Sequence, residues 1–355
     1  MTSIVTEVGA RSRTNPFVPE EGVPQVATTT ETPEAVVPES KPMAAGSKNT
    51  GRLGNRIFAG VSTGAGLIIL ATLAAVAIFL LVQASPALTA SADEIAAESI
   101  TGGAQSLWGY TLPLLFGTAL SSILAMLIAV PLSVAIALFI AQYAPKRIAS
   151  TLAYVIDLLA AIPSVVYGLW GVYWLLPIIS PCFEWLSSTL GFIPLFADYQ
   201  APARNVLSAA IVLAVMCLPI ITAVSREVFL QTPRLHIEAS LALGATRWEV
   251  IRQAVLPFGR SGVVSASMLG LGRALGETMA ILMIISPGFL MNFYLLKPGQ
   301  HQSIAANIAA QFPEASGLSS NILIATGLAL FVLTLAVNML ARWIVSRRAE
   351  FSGAN

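Results

Sequence analysis

Charge is scarce in this chain. Only 10% of its 355 residues are Asp, Glu, Lys or Arg, 56% are hydrophobic, and the mean hydropathy is +0.78. Soluble domains carry about a quarter of their residues as charges, so that class is excluded. Lysine is confined to Lys41, Lys48, Lys146 and Lys297. None follows a glycine, and no glycine-rich loop ends in Gly-Lys-Ser or Gly-Lys-Thr, so a P-loop cradle for nucleotide phosphates is excluded as well. Histidine is limited to His236 and His301, and cysteine to Cys182 and Cys217. Their spacing fits no metal-ligand pattern, which argues against a metal site and against a thiol-based catalyst. Cys217 reads as a small packing residue. A secretory signal needs an apolar stretch where Asn15, Pro16 and Pro19 stand, so none is expected.

Long apolar runs are what the chain has instead. A helix needs about 20 apolar residues to cross the hydrocarbon core, and six runs reach that length: 57–84, 113–142, 151–179, 206–224, 262–286 and 321–345. The expected fold class is all-α, a polytopic membrane protein with six transmembrane helices over 57–348. Basic residues are retained on the cytoplasmic side. Arg11, Arg13, Lys41, Lys48, Arg52 and Arg56 precede the first run, and Lys146 and Arg147 separate the second from the third. Arg226, Arg234, Arg247, Arg252 and Arg260 surround the segment between the fourth and fifth runs, and Arg342, Arg347 and Arg348 follow the last span. Only Arg204 and Lys297 fall in the opposite loops, so both termini are expected to be cytoplasmic. Residues 1–52, rich in Pro, Thr, Glu, Ser and Val without a helical or strand period, read as a disordered cytoplasmic tail. The first run is then an uncleaved anchor.

Between the fourth and fifth runs lies EASLALGATRWEVIRQAVLP, Glu238 to Pro257, polar where its flanks are apolar. Thr232 and Pro233 make a helix start and Gly244 a stop. Thr246 and Glu249 have the spacing of a capping box that opens a second helix, and Pro257 disfavours helix in the residue before it. Two short rods at an angle are expected over 232–257, forming a docking surface. The pattern resembles the EAA loop of ABC importer membrane subunits: Glu-Ala-Ala, three residues, Gly, nine residues, an aliphatic, one residue, Leu-Pro. Glu238, Ala239, Gly244, Leu256 and Pro257 fall in register, while Ser240 replaces the second Ala and Ala254 a larger aliphatic. The resemblance implies that this loop couples the chain to a separate ATPase, which binds ATP and Mg; no cofactor is expected in the chain itself.

The fifth run contains GLGRALGETMA, Gly270 to Ala280, which sets Arg273 and Glu277 in the membrane. Either charge at a helix centre costs about 2.5–3.5 kcal/mol on insertion scales, so both must face protein or water. Four residues apart, they fall on one helical face within reach of each other. Gly272 and Gly276 form an adjacent stripe for close helix packing. An arginine offers charge and forked N–H donors matched to a tetrahedral oxyanion. Arg273, Glu277 and the adjacent Thr278 are therefore expected to line a substrate path, with Glu277 neutralising Arg273 when the path is empty. A buried ion pair that only fixes helix orientation is the alternative.

In LAAIPSVVYGLWG, Leu159 to Gly171, Pro163 interrupts a run and frees backbone groups for nearby helices, waters or Ser164 to satisfy. With Gly168 and Gly171 close behind, a kinked and tightly packed span is expected. Tyr167 serves that packing or offers its hydroxyl to the path. Asp157 is placed to pair with Lys146, Arg147 or a partner subunit. Ser303 to Gln311 predicts a short helix in the loop 287–320, and Asp93, Glu94 and Glu98 cluster on the same side, where they would not steer a free anion inward.

GLGRALGETMA, LAAIPSVVYGLWG and SIAANIAAQFPEAS, Ser303 to Ser316, together resemble the PstC-type permease subunit of bacterial phosphate importers, over roughly residues 60–348. The RALGE core is shared with sulfate and molybdate permeases; Thr278, Met279 and IPSVVYGLWG favour the phosphate type. The resemblance implies a type I ABC importer permease fold in the bacterial cytoplasmic membrane. It also implies a heterodimer with a PstA-type permease, a PstB-type ATPase dimer and an extracytoplasmic phosphate-binding protein, with no nucleic-acid partner. Alternating access driven by ATP is the expected mechanism. The rival readings are a permease for another oxyanion, an ATP-independent secondary transporter or channel, and a membrane-bound sensor or scaffold.

Overall fold

The computed structural model describes residues 50–349 and the side chains of 54–343. The tail expected at 1–52 lies outside the described residues up to 49. The chain divides into two compact units, one ending at Ala65 and one beginning at Gly66. All that follows beyond the first helix concerns the second unit.

Every regular element among the described residues is helical. Helix α1 (Thr50–Thr89) is followed by the short α2 (Ala92–Ala97), then α3 (Leu107–Leu138) and α4 (Lys146–Ala160). Helices α5 (Ser164–Trp170), α6 (Leu176–Leu190) and α7 (Val206–Leu230) lead to α8 (Arg234–Ala242) and α9 (Arg247–Val250). Helices α10 (Leu256–Leu275), α11 (Met279–Ile284), α12 (Ile304–Gln311) and α13 (Leu318–Ala349) complete the order. Among the described residues, six helical stretches are long and apolar enough to cross a membrane: Gly54–Thr89, Leu107–Tyr143, Ser164–Leu190, Val206–Leu230, Arg247–Leu275 and Leu318–Trp343. Large apolar side chains such as Ile69, Leu70, Phe79, Leu127 and Leu340 are exposed along them, as expected where hydrocarbon rather than water is the solvent.

Two spans depart from expectation. The third, expected over 151–179 with a kink at Pro163, is broken outright between Ala160 and Ser164, and the span-length helix runs over Ser164–Leu190. Pro163 is the cause: it has no N–H to donate and keeps Ile162 out of helix. The fifth, expected over 262–286, starts at Arg247 and stops at Leu275, because the capping box begins it early and Gly276 ends it.

Three five-residue π turns, Phe139–Tyr143, Gly171–Leu175 and Ile251–Val255, each lead into a proline, Pro145, Pro177 or Pro257. In the latter two the widened turn lets the helix continue past a ring that would clash with the carbonyl four residues back.

The core is built on α3, α7 and α10. Small residues allow the contact: Ala125 and Ala129 of α3 and Ala209, Ala210 and Ala214 of α7 are buried in one cluster with Ala266 and Ala274. Ser133 Oγ donates to the Leu218 carbonyl at 3.1 Å, and Cys217 Sγ to the Gly270 carbonyl at 3.4 Å, tying α7 to both neighbours. Cys217 is thus the packing residue expected.

Candidate functional site

The polar loop between α7 and α10 is built by local sequence rules. Pro233 precedes α8, and Gly244 beyond its end has φ +83°, the left-handed region where a Cβ is disfavoured. The Gly244 N–H donates to the Leu241 carbonyl at 2.9 Å and the Ala245 N–H to the Ser240 carbonyl at 3.1 Å, the two bonds of a Schellman cap. Thr246 and Glu249 then form the expected capping box: the Thr246 N–H and hydroxyl donate to Glu249 Oε2 at 2.7 and 2.8 Å, and the Glu249 N–H donates to Thr246 Oγ at 3.4 Å.

Pro257 does not end the second rod. The π turn absorbs it, so α9 and α10 run as one helix over Arg247–Leu275, about 43 Å at 1.5 Å per residue. Leu256 and Pro257 are therefore inside this rod rather than at its terminus. No residue of α8 is buried; Leu235, Leu241 and Trp248 are exposed, and Leu243 is 90% exposed. Between α8 and the rod lies a groove of about 350 Å³ lined by His236, Ala239, Ser240, Leu243, Gln253, Ala254 and Phe258. Both departures from the EAA pattern, Ser240 and Ala254, line this groove. Glu238 lies on α8 and Gly244 just beyond its end.

At the far end of the rod, Arg273 sits in the last turn of α10 and is half-buried. The helix breaks at Gly276 (φ −94°, ψ 2°) before α11 begins. This break separates Arg273 from Glu277: the two do not share a helical face, and the ion pairs among the described residues are Arg226 with Glu227 and Lys297 with Asp198. The expected Arg273–Glu277 pair is therefore replaced. Glu277 is buried, and its Oε1 accepts from the Ala280 N–H at 3.0 Å, capping α11. Thr278, half-buried, donates to the Gly276 carbonyl at 3.2 Å.

The Tyr167 hydroxyl donates to the Leu159 carbonyl at 2.8 Å, so Tyr167, not Ser164, satisfies a group freed by the Pro163 break. The oxygen of that hydroxyl remains an acceptor. Gly168 is pressed against α11, where a Cβ would lie 3.1 Å from Ala280 Cα, as the tight packing of this span predicts.

Close packing at Gly272 and Gly276 is not found among the described residues. A Cβ at Gly272 meets nothing within 4 Å, and one at Gly276 meets only the Gly272 carbonyl oxygen at 3.7 Å. The packing glycines of α10 are Gly259, Gly262 and Gly270, where a Cβ would lie 2.4–2.7 Å from Phe229, Val228 or Ile221 of α7. Spacing alone does not say which glycine stripe faces a helix of the same chain. Asp157 is exposed and makes no ion pair among the described residues. Of the acids near α2, Glu94 completes a capping box with Ser91 and Glu98 accepts from Ser319.

Sequence reasoning missed Arg204, which it counted only as a loop charge. Its Nη2 donates to the Met283 carbonyl at 2.7 Å and its Nε to the Ile284 carbonyl at 3.4 Å, closing the end of α11. Partners about 80 residues away in sequence leave no local signal.

The arrangement is an exposed polar loop joined by one continuous helix to an arginine that makes no ion pair among the described residues and stands at a helix break. The family described as binding-protein-dependent transport system inner membrane component matches residues 129–350. The chain belongs to that family. Such proteins are permease subunits of ABC transporters, multi-pass membrane proteins that are not themselves catalytic. Among relatives, phosphate transport system permease protein PstC 2 of Mycobacterium tuberculosis is 44% identical over 321 residues, covering 88% of this chain and 98% of that protein. Phosphate transport system permease protein PstC of Haemophilus influenzae is 37% identical over 291 residues, covering 81% of this chain and 91% of that one. The fold is similar to a chain of a bacterial ABC transporter involved in the import of the acidic polysaccharide alginate, with TM-score 0.52 at 15% identity, covering 82% of this chain and 99% of that one.

Proposed function

We propose that this chain is one half of the membrane path of an ATP-driven importer of inorganic phosphate. The observation that carries the reading is Arg273: a half-buried guanidinium within a membrane span, with no carboxylate of the described residues within ion-pair distance, at a break that frees backbone groups beside it. Its forked donors suit a tetrahedral oxyanion. Tyr167 and Thr278 add hydroxyls, and the Glu277 carboxyl is taken up by the Ala280 N–H at the start of α11. The relatives named for phosphate transport support phosphate as the ion.

The loop carrying Glu238, Ala239 and Gly244 is the contact for an ATPase dimer of the PstB type, on the cytoplasmic side with both termini. Exposed Leu243 and Trp248 are its apolar anchors, since burying a Leu contributes about 1.5–3 kcal/mol. ATP binding moves α8 and the Arg247–Leu275 rod together, and the motion reaches Arg273 without a hinge between. A PstA-type permease completes the path, and an extracytoplasmic phosphate-binding protein delivers the ion.

The test is uptake of labelled phosphate at limiting concentration by cells carrying this chain as their sole permease of its type, with excess sulfate as competitor. Saturable uptake indifferent to sulfate is expected. Uptake suppressed by sulfate moves the assignment to another oxyanion, and uptake that survives ATP depletion moves it to a secondary transporter.

A further inference from the structure

Residues 285–303 connect α11 to α12 without forming a helix, yet much of this segment is buried. Leu296 is fully buried, and His301, Gln302 and Ser303 are 2%, 3% and 1% exposed. Non-helical backbone at such depth is tolerated only where protein or a water-filled cavity covers it. The segment doubles back on itself between two Pro-Gly pairs, Pro287-Gly288 and Pro298-Gly299. Its arms close where the Leu290 N–H donates to the Gln300 carbonyl at 2.9 Å. A Cβ at Gly288 would lie 2.0 Å from the Gly299 carbonyl oxygen, so the arms meet only because that position is glycine. Gly299 has φ +70°, a turn conformation suited to a hinge.

The doubled segment is seated on two helices. On α3, Gly117 leaves room for the Gln302 backbone, where a Cβ would lie 2.3 Å from the Gln302 carbonyl oxygen. Thr118 Oγ accepts from the Ile304 N–H at 3.0 Å, and the Phe116 ring lies 5.9 Å from that of His301. At the start of α7, Asn205 Nδ2 donates to the Leu296 carbonyl at 3.0 Å, and the Leu207 N–H to the Leu295 carbonyl at 3.3 Å. The seat is incompletely bonded: His301 Nδ1 and Gln302 Oε1 are buried without a hydrogen-bond partner. Each such group costs about 1–3 kcal/mol, which lowers the free energy needed to unseat the segment. Its upstream end follows α11 directly, so one run of chain links the coupling rod, Arg273, the break, α11 and this segment.

We propose that residues 285–303 are a strap that closes the outer mouth of the path in the state described and lifts from Gly117 and Thr118 when the path opens outward. The inference rests on the transporter reading above. In the whole complex, in membranes, Ser303→Cys in a Cys182→Ser background gives a thiol under the strap, while Phe293→Cys gives one at its exposed tip; Cys217 stays buried. A membrane-impermeant methanethiosulfonate reagent added from outside is expected to modify Phe293→Cys readily and Ser303→Cys slowly. Trapping with ATP and vanadate is expected to raise the Ser303→Cys rate by about tenfold or more relative to the tip, as for a tenfold shift in opening per 1.4 kcal/mol. Adding Gly117→Val, which obstructs the seat, is expected to raise it similarly with no nucleotide at all. Nucleotide occlusion without a change at Ser303→Cys overturns the strap, as does an unchanged rate with Gly117→Val. Failure to occlude nucleotide while Gly117→Val still exposes the thiol overturns the ATP-driven reading and leaves the strap supported.

Discussion

Gly244 offers a perturbation whose cost can be worked from geometry alone. It sits at φ +83°, and a Cβ there meets nothing within 4 Å. Sterics between residues are therefore removed from the problem, and only the backbone conformation remains. The left-handed region costs an L-residue about 1–2 kcal/mol, and replacing glycine by alanine returns about 0.4–1 kcal/mol by restricting the unfolded chain. The net for Gly244→Ala is about 1 kcal/mol, or about fivefold in the equilibrium that holds the Schellman turn. Gly244→Asn is expected to stay close to glycine, since asparagine tolerates this region, and Gly244→Val to fall furthest, since a β-branched residue there is an outlier. The assay is recovery of the ATPase on the tagged permease at limiting ATPase concentration, at matched levels of inserted chain. The order Gly, Asn, Ala, Val is the expected result. Equal recovery for all four, or Asn no better than Val, refutes the claim that this turn sets the angle at which α8 is presented.

Three further outcomes follow from the same reasoning. Gly270→Ala places a Cβ 2.7 Å from Ile221 Cδ1; overpacking of this kind costs about 1–3 kcal/mol, and a lower midpoint of thermal unfolding in detergent, with Gly272→Ala unchanged, checks which stripe of α10 is packed. Thr246→Ala removes one half of the capping box and should cost about 1 kcal/mol, read as faster hydrogen exchange at the amides of 247–250. Burial pushes the His301 imidazole below its ordinary 6.5, so the seated strap keeps its full stability above about pH 6.5 and loses it as pH falls below that value toward the lowered one. Modification of Ser303→Cys, normalised to Phe293→Cys, should accordingly rise on acidification, and His301→Gln should flatten the dependence.

What was legible in the sequence is what depends on neighbours in the chain. The apolar runs, the Thr246–Glu249 capping box, the left-handed Gly244, the helix after Ser303 and the break at Pro163 all rest on contacts within a few residues. Pro257 misled because a proline at that spacing normally ends a helix, whereas a π turn widens this one and carries it through. The Arg273–Glu277 pair misled for the converse reason: spacing of four implies contact only while the helix continues, and Gly276 stops it. The two glycine stripes of α10 are equivalent in sequence, and only the position of α7 selects Gly259, Gly262 and Gly270. Arg204 and the strap seat at Gly117 depend on chain segments far apart in sequence, and nothing local reports them.

The central claim is that Arg273 stands unpaired in the membrane to hold a passing oxyanion. Its most direct test is the initial rate of labelled phosphate uptake by Arg273→Ala and Arg273→Lys at matched ATPase recovery. Losing the charge-assisted hydrogen bonds of the guanidinium costs about 1.5–3 kcal/mol, so uptake by Arg273→Ala should fall by about one to two orders of magnitude. Arg273→Lys, which keeps the charge but not the fork, should lie between. Uptake by Arg273→Ala equal to that of the unaltered chain would contradict the account.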